Sequence, residues 1–143
     1  MIVEDEVLIA MALRDALEDA GYHVLDVTDR PVEALEVAKA CMPDLALVNI
    51  QLAGRADGIA LAEKLKELGI PVLLISGQVS RARSAKTVAI ASLPKPYRAA
   101  DMVLAVTYLL ALLRGHTLPP MPERLEVFDE DGFGLTPQGA END

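Results

Sequence analysis

The chain has 143 residues, of which 52% are hydrophobic and 24% charged, enough apolar material for one packed domain and too much for a disordered chain. Thirteen Lys and Arg against 22 Asp and Glu leave a net charge of −9, which repels phosphate backbones and argues against direct nucleic-acid binding. A single cysteine, Cys41, excludes an intramolecular disulfide, and the opening MIVEDE carries acid where a signal peptide needs a basic start, so a cytoplasmic protein is expected.

In chain order, short apolar or β-branched runs alternate with helical spacing. The run MIV reads as a strand and residues 6–20 as a helix whose Leu13, Ala16, Leu17 and Ala20 share one face, stopped by Gly21. YHVLDV at 22–27 reads as a second strand, and 31–41 as a helix opened by Asp29 and Pro31 and closed at Cys41, taken as a small core residue. DLALVN at 44–49 is the third strand, followed by a helix over 58–68 introduced by Asp57 and Gly58 and stopped by Gly69. IPVLLIS at 70–76 is the fourth strand, and a weaker helix falls within 79–89. A short run at 90–93 and a long helix over 97–114 complete the alternation.

This order reads as (βα)5. DLALVN and PVLLIS are apolar on both faces, as parallel strands covered by helices on each side must be, so an open doubly wound α/β sheet follows. The first strand falls below the usual five or six residues, which leaves either residues upstream of Met1 or a weakly held centre. The most apolar helix is about 18 Å long between Met102 and Leu113 and cannot cross a bilayer.

Charge divides the chain near Gly115. Residues 1–114 carry net −3 and residues 115–143 carry net −6, so 1–114 is expected to fold as the domain and 115–143 to form an acidic tail, in which Pro119, Pro120, Pro122 and Pro137 oppose extended regular structure. On the last helix Met102, Val103, Val106, Leu109, Leu110 and Leu113 make a core stripe. Leu104, Tyr108 and Leu112 repeat at i, i+4 and i+8 as a second apolar strip on another side. Two occupants of that strip are open: a second copy of the chain, giving a homodimer through the last helix, or the tail itself through residues such as Leu125, Phe128 and Phe133.

Ligands of doubly wound sheets sit at the carboxyl ends of the strands. There this chain places Glu4 and Asp5, Asn49, Ser76 and Lys95: two adjacent carboxylates, a carboxamide, a hydroxyl and an ammonium. Oxygen ligands suit Mg²⁺ and a lysine suits phosphate oxygens.

Through VEDE, PDLALVNIQLAGRADG, PVLLISGQ and LPKPY, residues 1 to about 114 closely resemble the CheY-like receiver domains of bacterial two-component response regulators. The resemblance implies a flavodoxin-like five-stranded parallel sheet of order 2-1-3-4-5. It places Glu4 and Asp5 as the acidic pair, Ser76 as the switch hydroxyl and Lys95 as the phosphate-contacting lysine. It also implies Mg²⁺ held by Asp5, residue 49 and the Gln51 carbonyl, with Glu4 acting through water, and partners such as a histidine kinase met through the last helix and its neighbours.

Two positions depart from the pattern. Asn49 stands where the family carries its phosphoacceptor aspartate, and a carboxamide lacks the carboxylate nucleophile; it also removes one charge from the cation site, so Mg²⁺ should bind weakly. Ser92 stands where a switch aromatic is usual. The resulting expectation is a stand-alone receiver-type signalling protein of a phosphorelay pathway. It would act through protein contacts, without catalysis or ordinary phosphorylation. The alternatives are an ordinary phosphoacceptor regulator into which Asn49 was introduced for aspartate, and, more weakly, a Mg²⁺-dependent phosphatase-like enzyme, for which Glu4 and Glu6 stand where that chemistry uses two aspartates.

Overall fold

The computed structural model describes residues 1–52 and 57–128. The elements are β1 (Ile2–Val3), α1 (Val7–Asp19), β2 (Val27–Thr28), α2 (Pro31–Cys41), β3 (Ala46–Asn49), α3 (Gly58–Glu67), β4 (Val72–Ser76), α4 (Val79–Ser84), β5 (Ala91–Pro94), α5 (Ala99–Arg114) and β6 (Glu126–Val127). The sheet order is β2-β1-β3-β4-β5-β6. The first five strands are parallel, in the order 2-1-3-4-5, and β6 joins β5 antiparallel.

Strand alternation divides the core into two layers. Ile2, Leu47, Leu73 and Ile75 point to one face and pack with Leu13 and Leu17 of α1 and Met102, Val106 and Leu109 of α5. Val3, Ala46, Val48, Val72 and Leu74 point to the other, against Ala34 and Ala38 of α2, Leu61 and Leu65 of α3 and Ala82 of α4. Every residue of β3 and β4 is buried, the consequence of helices on both faces.

Three features differ from the sequence reading. The second strand shrinks from 22–27 to Val27–Thr28, because an edge strand can pair only where its neighbour offers backbone, and β1 offers Ile2 and Val3. Cys41 is exposed: it is the last residue of α2, where Met42 turns the chain off with φ 46°.

The third difference concerns the last helix. Leu104 is 53% exposed, but Tyr108 and Leu112 are only 6% and 7% exposed, so the three do not form an open strip. The chain after α5 returns to the sheet: Leu125 joins the apolar cluster that also holds Tyr108 and Leu112, and Phe128 N–H donates to the Ile90 carbonyl at 2.8 Å. An interface of a second copy built on Leu104, Tyr108 and Leu112 is therefore not available in this arrangement. Phe133 lies outside the described residues.

Candidate functional site

Parallel pairing sets the strand ends side by side. Asn49 is in register with Ile75, next to Ser76, and Ser76 is in register with Pro94, next to Lys95. Val3 pairs with Val48, which brings Glu4 and Asp5 against the end of β3. The structure thus gathers Glu4, Asp5, Asn49, Ser76 and Lys95 on one rim of the sheet.

Glu4 is 3% exposed and its side chain is fully enclosed. Its Oε2 accepts from the Asp5 and Glu6 backbone N–H groups at 2.9 and 3.3 Å and from the Asn49 side-chain amide at 2.9 Å. The same Asn49 nitrogen donates to Asp5 Oδ1 at 3.1 Å. One amide therefore bridges both carboxylates, the position from which a cation would have to draw them together.

Glu4 Oε1 is buried without a hydrogen-bond partner, and Lys95 Nζ stands 3.7 Å away, within ion-pair reach but beyond hydrogen bonding. Burial raises the Glu4 carboxyl above its ordinary range, the adjacent Asp5 carboxyl adds to this, and the Glu6 N–H, Lys95 and Asn49 oppose it.

Ser76 is buried at the rim, but its hydroxyl is engaged locally: it accepts from Gln78 N–H at 2.9 Å and donates to the Gln78 carbonyl at 3.1 Å. This is the turn-forming role of a serine before Gly77. Ser92 is buried inside β5 and, with Ser76, Arg124 and Glu126, lines a cavity of about 290 Å³, the room left by a small side chain. Gln51 is exposed and forms an isolated antiparallel bridge with Asp57.

Two contributors were missed by sequence reasoning. Gly58 reads there as an ordinary helix start, yet a Cβ on it would lie 2.1 Å from the Asn49 carbonyl oxygen and 2.8 Å from Ile50 Cα. Its lack of a side chain lets α3 close on the end of β3, with Gly58 N–H donating to the Ile50 carbonyl at 2.8 Å; Asp57 caps the helix by accepting from Ile59 N–H at 2.9 Å. Tyr97 follows Lys95 and Pro96 with its hydroxyl buried and unpartnered. Burial, then the charges of Glu4 and Glu6, push its pKa up to about 12. LPKPY carried the first signal of Tyr97; nothing local distinguishes Gly58 from any helix-opening glycine.

Among the described residues no cluster of three or more His, Cys, Asp or Glu side chains is placed to hold a metal. The two carboxylates present are already joined by a donor. The set fits a hard cation only in part, because the Asn49 nitrogen, and not its oxygen, faces them.

A doubly wound sheet with an acidic pair, a hydroxyl and a lysine at its strand ends defines the class, and the comparisons agree: residues 1–107 match the response regulator receiver domain, and the chain belongs to that family. The chain is 31% identical over 138 residues to the transcriptional regulatory protein PdtaR of Mycobacterium tuberculosis, covering 89% of this chain and 66% of PdtaR. Among solved structures it resembles the receiver domain of NtrX from Brucella abortus, at 30% identity and a TM-score of 0.70, covering 76% of this chain and 95% of that one. It also resembles a CheY-like receiver domain protein from Methanospirillum hungatei, at 25% identity and a TM-score of 0.70, covering 76% and 90%. The chain spans just under two thirds of the length of PdtaR. It carries a signalling domain, and no helix among the described residues is long and apolar enough to cross a membrane.

Proposed function

We propose that the protein is a non-enzymatic receiver-type module of a two-component or phosphorelay pathway that signals through protein contacts and is not phosphorylated at the end of β3. The observation that carries this reading is the Asn49 amide, which donates to Glu4 and Asp5 together. A phosphoacceptor site needs a carboxylate nucleophile there and a cation between the acids; this site has a neutral side chain that supplies the bridging positive edge itself. Mg²⁺ binding is correspondingly weak: Asp5 and the Gln51 backbone carbonyl would hold it, with Glu4 acting through water, and Asn49 would join only by turning its side-chain oxygen toward them.

The rim supports a protein partner such as a histidine kinase. Val7, Leu8 and Met11 of α1 and Val32 of α2 are exposed, and Val7 and Met11 border an open cleft of about 350 Å³ whose floor includes Glu4 and Asp5. Single exposed apolar residues are ordinary, but Val7 and Met11 set theirs beside the acids of the rim, where one partner would cover both.

Intact-mass measurement after incubation with acetyl phosphate and Mg²⁺ tests the reading. The chain should gain no phosphoryl group, whereas Asn49→Asp should gain one. A stable phosphoryl adduct on the unaltered chain would overturn it.

A further inference from the structure

Strand alternation turns Ala91 and Leu93 toward the α5 side of the sheet and Ser92, between them, toward the α4 side. Ser92 is in register with Leu74 of β4 and with Glu126 of β6, and directly paired residues share a face. Leu74 packs with Ala82 on the α4 side, and each carboxylate oxygen of Glu126 accepts from Arg83 Nε of α4 at 3.0 Å. The Ser92 side chain therefore points beneath α4.

It opens there on a cavity of about 290 Å³ whose wall includes Ser76, Ser92, Ala82, Arg83, Arg124 and Glu126. The inner part is enclosed, with Ser76 and Ser92 each 5% and Ala82 2% exposed. The Ser76 hydroxyl is satisfied by Gln78, whereas among the described residues no hydrogen-bond partner meets the Ser92 hydroxyl. An enclosed hydroxyl without a protein partner is a donor and acceptor offered to whatever enters the cavity.

The outer part is cationic. Arg83 engages Glu126 through Nε alone, and Arg124 reaches the Pro96 carbonyl through one terminal nitrogen. A guanidinium has five N–H donors in a fixed fork, so both arginines keep donors for a ligand. Arg83 and Arg124 against Glu126 leave one positive charge in excess at the cavity, in a chain whose net charge is −9.

We propose that this cavity is a binding site for a tetrahedral oxyanion of the size of phosphate, held by Arg83, Arg124 and the Ser92 hydroxyl. The three donors come from three elements: α4, the segment before β6, and β5. An anion with oxygens in several directions can meet all of them by charge-assisted bonds, and a planar carboxylate cannot. The volume lies below the roughly 300–1,000 Å³ of sites for drug-sized ligands, which points to a few heavy atoms. Glu126 opposes the anion and tempers its affinity. Asn49 and Lys95 are not in the wall, so the site is separate from the strand-end rim and does not depend on whether residue 49 can be phosphorylated.

The test is a titration of the full-length chain with inorganic phosphate at fixed ionic strength, followed by ¹H–¹⁵N NMR. The amides of Arg83, Ser92 and Leu93 should shift together and saturate, and acetate should act on them with affinity lower by about tenfold, the loss of one charge-assisted bond. Ser92→Phe, which fills the cavity, should abolish the response. Arg124→Ala should weaken binding about tenfold for the same loss of a charge-assisted bond, and Glu126→Gln should tighten it by removing the opposing charge. Ser92→Ala removes the hydroxyl and keeps the cavity, so weaker binding by that chain decides the matter should Ser92→Phe fail to fold. Absence of saturable shifts at these amides, shifts confined to Asn49 and Lys95, acetate binding as tight as phosphate, or binding unchanged by the Ser92 and Arg124 substitutions would overturn the proposal. Weaker binding by the Glu126→Gln chain would overturn it too, by showing that the ligand is not drawn by positive charge.

Discussion

Glu4 is the residue whose state matters most at the rim. Its carboxyl is buried, takes three N–H donors on one oxygen and leaves the other facing only Lys95. Because its folded pKa is raised, chiefly by burial, its contribution to stability is fully present below the ordinary carboxyl pKa and is lost as pH rises through the elevated folded value. Lys95 opposes that loss. Lys95→Ala should therefore destabilise the fold at neutral pH by roughly 1–3 kcal/mol, the cost of a buried charge deprived of its partner, and by less at acid pH, where Glu4 is protonated. Urea unfolding of both chains across that range checks it; a small, pH-independent difference would show that Lys95 does not serve Glu4. This gives Lys95 more structural weight than its strand-end position suggests, because the sequence shows that a lysine is near the acids but not that one of them is enclosed.

At the scale of elements, the contact between α3 and β3 depends on Gly58. In a helix, Gly→Ala ordinarily stabilises by about 1 kcal/mol. Here the added Cβ would meet backbone atoms of Asn49 and Ile50 at 2.1 and 2.8 Å, and overpacking of that kind costs about 1–3 kcal/mol, so the clash wins. Gly58→Ala should lower stability and shift the Asn49 side-chain amide resonances, observable by ¹⁵N NMR; unchanged resonances with raised stability would contradict the packing described.

The elements that were legible in the sequence are those whose signals are local. Pro31 and Asp57 open their helices as expected, and the apolar runs of β3 and β4 place Asn49 and Ser76 at the rim. β6 was not legible, because two residues among prolines carry no periodic signal and their pairing is decided by the free edge of β5. Tyr108 and Leu112 are buried in a cluster that takes in the distant Leu125, so helix spacing marked their apolar character without marking that they are enclosed.

At the scale of the molecule, the receiver fold gathers Glu4, Asp5 and Lys95 at its strand ends and sets the Asn49 amide between the two acids. Glu4, Asp5 and Lys95 then carry one negative charge in excess, and Asn49 joins the acids by hydrogen bonds that need no cation. An aspartate at that position would bring a third carboxylate into the cluster and remove the donor, so the acids would repel until a divalent cation bound. The two chains should thus differ in how their stability responds to Mg²⁺, since a ligand stabilises the folded state only as far as it binds there. The most direct measurement is the thermal unfolding midpoint of the unaltered chain and of Asn49→Asp over a titration to millimolar Mg²⁺. The unaltered chain should hold a nearly constant midpoint, while Asn49→Asp should start lower without the cation and climb steadily as it is added. A midpoint of the unaltered chain that rises with Mg²⁺ as steeply as that of Asn49→Asp would contradict the claim that Asn49 stands in for the cation.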